Sequence, residues 1–240
     1  LQESITKKVK TGLWSSVRQT VGYRYHLGMQ QVLCRGGGDG VVLTRVWNGD
    51  DEVWPPTPGT TITTSTNFDI DQAELYGGEE LGSGGLQATV DFYIGTTTQA
   101  VNAYLDTTDR QRIGTAGTPT APRYTGNCHA VIREMTSAAP LSTNIGAYIG
   151  NSTTVKAWSW ELERHPILFG TQTSGMNKIG SDGDTNPINV IYEILTDDDW
   201  GFGFPSTDID LVNFRAVADV IITEVNGFSM LLDREMTSKD

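Results

Sequence analysis

The residues that could do chemistry are few and widely spaced in this chain of 240 residues. Three histidines, His26, His129 and His165, and two cysteines, Cys34 and Cys128, are the candidate nucleophiles, bases and soft metal ligands. No two histidines stand at a metal-ligand spacing and neither cysteine belongs to a CxxC pair, so a zinc site would need distant convergence. The sequence therefore predicts no catalytic residue, no metal site and no bound cofactor.

The two cysteines leave two interpretations open. Buried thiols in neighbouring strands are the simpler one, because free cysteine behaves as a small apolar residue. A disulfide between Cys34 and Cys128 is the other, although a reducing bacterial cytoplasm disfavours it. Cys128 and His129 are adjacent, so within one strand their side chains point to opposite faces and do not form a nucleophile with its base.

An acidic run near residue 184 has the spacing of a calcium loop. Asp182, Asp184, Asn186 and Glu193 occupy positions 1, 3, 5 and 12 of that pattern. Position 6 is Pro187 where the pattern requires glycine, and Asn-Pro is already explained as the start of a helix. Paired acidic residues elsewhere lie in loops, and a glycosidase needs two carboxylates held across a cleft. Neither pattern predicts an active site.

Trp158 and Trp160 share one face of a predicted strand, because residues i and i+2 of a strand point the same way. Two rings side by side could stack on a sugar, or they could pack in the core or in a subunit interface. Packing is the interpretation that we favour, and glycan stacking is the alternative.

The elements that must position these side chains include one well-signalled helix. Asn186 is a good N-cap, and Pro187 suits the first helical position, where its missing N–H costs nothing. An apolar stripe follows at helical spacing, consisting of Ile188, Ile191, Tyr192 and Leu195. Three aspartates at 197–199 come next and are expected to lie beyond the helix and face water, because the helix dipole disfavours anions at its C-terminus.

A turn rich in glycine and aromatic residues separates this helix from a second one. Trp200, Gly201, Phe202 and Gly203 belong to the turn, and we expect its aromatic side chains to act as anchors. Asp208 or Asp210 then caps a second helix that continues to Ile222 and is closed by Asn226 and Gly227, with a strand over residues 228–232 after it. We expect Asn186, Pro187, Leu195, Trp200, Gly201, Gly203 and Asp210 to fix the packing of this domain.

Residues 13–165 are predicted to be mostly strands joined by long polar loops. Apolar and polar residues alternate over residues 41–47 and 89–94, as in strands with one buried face. Asn48-Gly49 is the strongest short-range hairpin signal in the chain. The predicted fold class is therefore α+β and mainly β, with sandwich-like or barrel-like domains, long loops and a small helical C-terminal part.

Three exposed segments are candidates for contacts with other proteins. The loops at 54–66 and 77–85 are too rich in Pro, Thr and Gly for regular structure, and long loops on a β scaffold often carry binding surfaces. The basic cluster Lys7, Lys8, Lys10 is interpreted as a solvated or partner-facing N-terminal arm. We expect the loops to contact neighbouring subunits.

The domain organisation follows from composition. We predict a β-rich part over residues 1–168, a linker rich in Gly and Ser over 169–184, and a helix-turn-helix-strand part over 185–240. Because the chain starts at Leu1 and stops at residues that resemble a helix N-terminus, we expect it to be a segment of a longer polypeptide.

The net charge and the hydropathy pattern exclude some classes of partner. A net charge of -12 argues against nucleic-acid binding, which needs cationic surface to replace phosphate counterions. No apolar run approaches the roughly 20 residues that a membrane-spanning helix needs. We therefore expect neither sequence-specific nucleic-acid contacts nor membrane insertion by this segment.

The run NPINVIYEILTDDDWGFG at residues 186–203 resembles a run in the tail-tip hub, or tip attachment, proteins of long-tailed bacteriophages, and is also similar to the hub of gene transfer agents. Those proteins share the Asn-Pro, the short helix, Leu-Thr-Asp, the aromatic-Gly-aromatic-Gly turn, and an Ile-Asp before a longer helix. Five other segments match in order over most of the chain: GYRYHLGMQQVLCRGGGDG, TRVWNG, VDFYIGTTTQAVNAYL, PRYTGNCHAVIR and AWSWELERHP.

The resemblance implies a structural protein of the virion, assembled in the host bacterial cytoplasm and located at the tail tip. It implies a homotrimer around the tail axis that binds the distal tail protein, the tail tube and other tail-tip proteins, and that supports host attachment and genome delivery. It implies no enzymatic activity. A carbohydrate-binding or receptor-binding module of a tail tip is the alternative function, and a cell-wall-degrading enzyme is a third that no motif supports.

Overall fold

A computed structural model describes residues 2–11, 15–36, 40–77, 84–106, 121–135, 146–152, 154–166, 178–180 and 183–230. Within these ranges the chain is mainly β, with two α-helices near the C-terminus. The elements in order are β1 (Gln2–Lys10), β2 (Ser16–Leu27), β3 (Met29–Arg35), β4 (Val41–Asn48), β5 (Asp51–Trp54), β6 (Thr66–Gln72), β7 (Leu86–Tyr93), β8 (Asn127–Arg133), β9 (Ala147–Tyr148), β10 (Trp158–Arg164), β11 (Lys178–Ile179), β12 (Asp184–Thr185), α1 (Pro187–Thr196) and α2 (Leu211–Glu224).

The described strands form three sheets. The largest has seven strands in the order β1-β2-β9-β7-β8-β3, with β6 also paired to β7. A second sheet has the order β10-β4-β5, and β11 pairs with β12 in a small third one. Since none of these sheets closes on itself within the described residues, the architecture is open and sandwich-like, and the predicted class, α+β and mainly β, is confirmed.

One apolar core lies between the two larger sheets. Strand β7 contributes Leu86, Ala88, Val90 and Phe92 from one face, all fully buried, while Asp91 and Tyr93 on its other face are only partly buried. Leu43 and Val46 of β4 belong to the same buried cluster. The period-2 pattern at 89–94 therefore predicted the buried face of β7 correctly, because a strand directs alternate side chains to opposite faces.

The hairpin predicted at Asn48-Gly49 is present, but its turn begins one residue later. Asn48 is the last residue of β4 and pairs with Asp51, so the turn residues are Gly49, with a φ of 66°, and Asp50. Asn48 is fully buried, and its Oδ1 accepts a hydrogen bond of 2.7 Å from the hydroxyl of Tyr76. This buried bond holds Asn48 in the strand.

The predicted loops are partly described. Residues 55–65 contain no regular strand, as predicted, although Ile62 forms an isolated bridge to Leu43. Trp54 and Thr66, the two ends of the predicted loop, belong to β5 and β6. Most of the second predicted loop, residues 78–83, lies outside the described residues.

The chain divides into two compact units, Leu1–Leu162 and Glu163–Asp240. Most of the predicted linker at 169–184 lies outside the described residues, but its described part is not an irregular connection. Lys178–Ile179 and Asp184–Thr185 pair as β11 and β12. Gly180 and Gly183, which border this strand pair, have positive φ angles of 72° and 76°, a backbone conformation that glycine adopts without strain.

The second unit contains the helix-turn-helix motif that the sequence predicted. Helix α1 starts after Asn186 with Pro187 at its first position, and α2 starts after Asp210. The apolar stripe was partly wrong, because Ile191 is exposed and Asn189 is the buried residue of α1. A hydrogen bond offsets the cost of burying this amide, because Asn189 donates to the carbonyl of Pro166 at 2.9 Å.

The end of the second unit differs from the prediction in two details. Helix α2 is closed by Val225, with a left-handed φ of 57°, and not by Gly227. Of the strand predicted at 228–232, Phe228 alone pairs, in a bridge to Thr185, and residues 231–232 lie outside the described part. The helices of the described segments are all too short or too polar to cross a membrane.

Candidate functional site

A groove between two edge strands is the first candidate site. Among the described strands β3 pairs only with β8 and β10 only with β4, so each has one free edge. The groove has a volume of about 430 Å³ and is lined by Gln31, Val32, Leu33, Trp158, Trp160 and Leu162. We call it the tryptophan groove. The side chains that line it are apolar or aromatic except for the amide of Gln31.

The two tryptophans form a continuous aromatic surface in this groove. Their ring centroids are 6.1 Å apart and their planes differ by 21°. The indole Nε1 of Trp160 donates a 2.7 Å hydrogen bond to Oε1 of Gln31, which fixes the ring against β3. Both rings are half-buried and pack on the core cluster. Such a surface can take the apolar face of a sugar ring or an apolar side chain of a protein partner.

A second candidate is the far end of the β1–β2 hairpin. Residues 6–11 and 15–20, which we call the arm, are exposed without exception. Val9 and Val17 are directly opposite each other, so their side chains point to the same face of the hairpin, and they are 37% and 57% exposed. Since the other described residues of the arm are exposed as well, neither of its faces is covered by the described part of the chain. The arm carries Lys7, Lys8, Lys10 and Arg18 and no acidic residue.

A polar network covers the outer face of β7 and β8. Arg133 donates to both carboxylate oxygens of Asp91, with Nε–Oδ2 at 2.7 Å and Nη2–Oδ1 at 2.9 Å. The amide of Asn102 donates to Asp91 Oδ2 at 2.8 Å and to the Tyr93 hydroxyl at 3.1 Å. Tyr93 stacks on His129 with centroids 4.7 Å apart.

The ionisation of this network suits a structural role. The hydrogen bonds that Arg133 donates to Asp91 raise the pKa of Arg133, so the guanidinium stays charged. Burial raises the pKa of Tyr93 and lowers that of His129, so both rings are neutral near pH 7. The Nδ1 of His129 donates to the carbonyl oxygen of Asn127 at 3.2 Å, which leaves Nε2 as the unprotonated nitrogen of the neutral ring. The bonds of Asn102 to Asp91 and Tyr93 hold the segment around residue 102 on the sheet.

The predicted motif in the second unit is a set of caps. Asn186 Oδ1 accepts from the Ile188 N–H at 3.0 Å, and its Nδ2 donates to the carbonyl of Ala218 in α2 at 3.1 Å. One buried side chain thus caps α1 and ties it to α2. Asp210 Oδ1 accepts from Asn213 N–H at 3.2 Å and caps α2 at the surface.

The expectation that residues 197–199 all face water was wrong for Asp197. Asp197 is buried, and its carboxylate accepts from the backbone N–H groups of Asp199 at 2.9 Å and Trp200 at 3.1 Å. These two bonds fold the chain back after α1. A Cβ on Gly201 would lie 2.3 Å from the carbonyl oxygen of Ile194, so this close turn requires glycine.

The aromatic residues of the turn do not anchor it. Trp200, Phe202 and Phe204 are 53%, 70% and 49% exposed, and the two phenylalanine rings stack with centroids 5.9 Å apart. Backbone bonds and Asp197 hold the turn instead. The side chains are left as an exposed apolar patch, and contiguous patches of this kind commonly mark contact surfaces.

The remaining predicted sites are dispersed. Two residues of the calcium pattern have structural roles: Glu193 pairs with Arg164, with Nη1–Oε2 at 3.0 Å, and Asn186 caps a helix. A third, Asp182, lies outside the described residues. Across the part of the chain that the structure describes, no three His, Cys, Asp or Glu side chains are grouped as metal ligands. Cys34 and Cys128 do lie in neighbouring strands, directly opposite each other.

Comparison with known proteins adds no relative. No protein-family model matches the chain, and no curated protein sequence is significantly similar to it. The resemblance to phage tail-tip hubs therefore remains a prediction carried by the motifs.

Proposed function

We propose that this chain is a structural subunit of a bacteriophage tail-tip hub, forming a homotrimer and binding the distal tail protein and tail tube at the tip of the virion. The motif resemblance suggests the family. The exposed arm is the observation that supports assembly, because an uncovered hairpin is stabilised when it docks on a partner. No catalytic step is part of this function.

The arm is difficult to explain in an isolated subunit. A two-stranded hairpin that packs on nothing is at best marginally stable in water, because it buries too little apolar surface to offset the ordering of its backbone. The register nevertheless runs from Thr6–Thr20 to Lys10–Ser16 along the whole arm. Docking on a neighbour would cover Val9 and Val17 and stabilise the hairpin.

Charge favours a second copy of the same chain as that neighbour. The arm contributes four positive charges to a chain whose net charge is -12, which leaves -16 on the remainder. The basic arm of one subunit attracts the acidic remainder of another. Contacts between two arms, or between two acidic surfaces, are repulsive. An arm that contacts a different surface on the next copy makes a heterologous contact, and a heterologous contact with a threefold rotation closes into a ring of three.

The arm predicts a specific assembly defect. We expect the chain to form a species of three times its 26.1 kDa mass in light scattering at low salt, and the triple variant Lys7→Glu, Lys8→Glu, Lys10→Glu to be monomeric. The matched control is Arg35→Glu, Arg123→Glu, Arg215→Glu, which changes net charge equally at exposed positions outside the arm. A wild type that stays monomeric at all concentrations, or equal loss of assembly in both variants, would refute the arm's role.

The location in the virion needs a separate test. Immunogold labelling with antibodies against the chain is expected to mark the tail tip of particles made by cells that carry its gene. Label on the capsid, or particles without label, would contradict the hub assignment whatever the oligomeric state of the purified chain.

The tryptophan groove favours a second candidate function, a carbohydrate-binding or receptor-binding module of a tail tip. We expect Trp158→Ala to abolish glycan-array binding under this hypothesis, because a stacking ring is lost. Trp47→Ala is the control, since Trp47 is also a half-buried strand tryptophan but does not line the groove. Absence of any bound glycan for the wild type would reject carbohydrate binding by the groove.

A further inference from the structure

The two cysteines are placed as a cross-strand pair. Cys34 of β3 and Cys128 of β8 are direct partners in the antiparallel register. The register shifts between Val32 and Cys34, so the pair lies beside a β-bulge. Opposite residues of a regular pair have Cα atoms roughly 4.5 or 5.5 Å apart, and a disulfide requires about 4.4–6.8 Å. Both thiols face the same side, because Cys128 belongs to the core cluster and Cys34 packs against it. The hydrogen bond between the two thiols shows that their sulfur atoms are already in contact.

We propose that Cys34 and Cys128 are an oxidisable pair that closes to an intramolecular disulfide when the chain meets a low-molecular-weight disulfide such as oxidised glutathione. The site is independent of the proposed hub function. Closure to an intramolecular disulfide requires both cysteines, because one thiol reacts with the oxidant and the other then displaces the glutathione.

The burial of the two thiols sets the order of the steps. Cys128 is fully buried, and its hydrogen bond with Cys34, together with burial, raises its pKa and keeps it protonated. Cys34 is only half-buried and is the thiol that an oxidant reaches. Its thiolate attacks one sulfur of oxidised glutathione, forming a mixed disulfide and releasing one glutathione thiolate.

The second step completes the balance. Cys128 loses its proton and attacks the sulfur of Cys34, which displaces the second glutathione thiolate. The protein loses two protons and two electrons in total, and one oxidised glutathione becomes two reduced molecules. The product joins the edge strand β3 to its neighbour β8 and closes a chain loop over residues 35–127, a long loop of the kind for which a cross-link restricts the unfolded chain most.

The disulfide also affects the tryptophan groove. Residues 31–33, immediately before Cys34, form one wall of the groove. An edge strand has hydrogen bonds on one side only, so a covalent link beside this wall limits its local opening. The oxidised and reduced forms therefore differ in the rigidity of one groove wall.

The test uses the full chain, incubated with oxidised glutathione and then alkylated in denaturant. We expect the count of free thiols to fall from two to none, the intact mass to fall by two hydrogens, and a peptide map to show the Cys34 peptide linked to the Cys128 peptide. The thermal midpoint should rise by roughly 5–10 °C on oxidation and return after reduction.

Cys34→Ser is the control, because it keeps the size of the side chain and removes the thiol that the oxidant reaches. It should show neither the cross-linked peptide nor the thermal shift. Two unreacted thiols in the folded wild type at high oxidant, a stable glutathione adduct on Cys34, or cross-linking between chains would each overturn the proposal. The wild-type thiol count does not depend on the variant's ability to fold.

Discussion

Replacing Asp91 with alanine is expected to lower the free energy of unfolding by about 3–5 kcal/mol. The Asp91 and Arg133 side chains are only 13% and 18% exposed, and their bidentate ion pair is short, at 2.7 Å. The variant leaves the guanidinium in a poorly solvated place without its carboxylate, and it also removes an acceptor from Asn102. An uncompensated buried charge is among the most destabilising changes that a single substitution can make.

This loss is measured by unfolding the full chain in urea and monitoring the β signal of the first unit by circular dichroism. Asp51→Ala is a matched control, because the Asp51–Lys156 pair has the same 2.7 Å distance but side chains that are 49% and 40% exposed. Solvent screens that pair, so we expect a loss of at most about 1 kcal/mol. Equal losses in the two variants would show that burial does not determine the strength of these pairs. Adding Arg133→Met to Asp91→Ala should recover part of the stability, because no unpaired charge remains.

Asn186→Ala is expected to destabilise helix α1 by about 2–3 kcal/mol, since it removes both an N-cap and a buried hydrogen bond. Asn186 is almost fully buried and links the start of α1 to the carbonyl of Ala218. Hydrogen exchange measures the effect locally. Protection of the backbone amides of α1 that follow Pro187 should fall roughly 30- to 150-fold, which is the same free energy expressed as a ratio.

Asp210→Ala separates capping from burial. Asp210 caps α2 in the same way but is exposed, so its loss should cost about 1 kcal/mol. Asn186→Asp keeps the acceptor for Ile188 N–H but places a buried carboxylate against the carbonyl oxygen of Ala218, and should destabilise α1 at least as much as Asn186→Ala. The importance of the buried link would be disproved if Asn186→Ala reduced protection no more than Asp210→Ala.

The features that the sequence predicted well are those determined within a few residues. The start of α1 depends on Asn186 and Pro187, and the start of α2 on Asp210, because an N-cap bonds to an N–H only two or three residues away. The buried face of β7 follows from its alternating pattern. Each of these signals is complete in the local sequence, so no knowledge of the rest of the fold was needed.

The turn at Asp197 shows where local reasoning fails. Helix polarity correctly disfavours an anion at the end of α1, yet Asp197 is buried there. The reason is that the backbone turns back and presents two N–H groups to its carboxylate, which offsets the dipole and the lost hydration. The sequence identified the residues of the turn, but the prediction that Asp197 faces water was wrong because it depends on the path of the backbone.

The sequence alone determined the mainly β class and the positions of the two helix starts. Tertiary structure decided the pairings across long separations: Asp91 with Arg133, Gln31 with Trp160, and Cys34 with Cys128. Strand register is the physical reason. A shift of one residue would turn every side chain of a strand to the other face, so only the assembled sheets determine which distant residues meet.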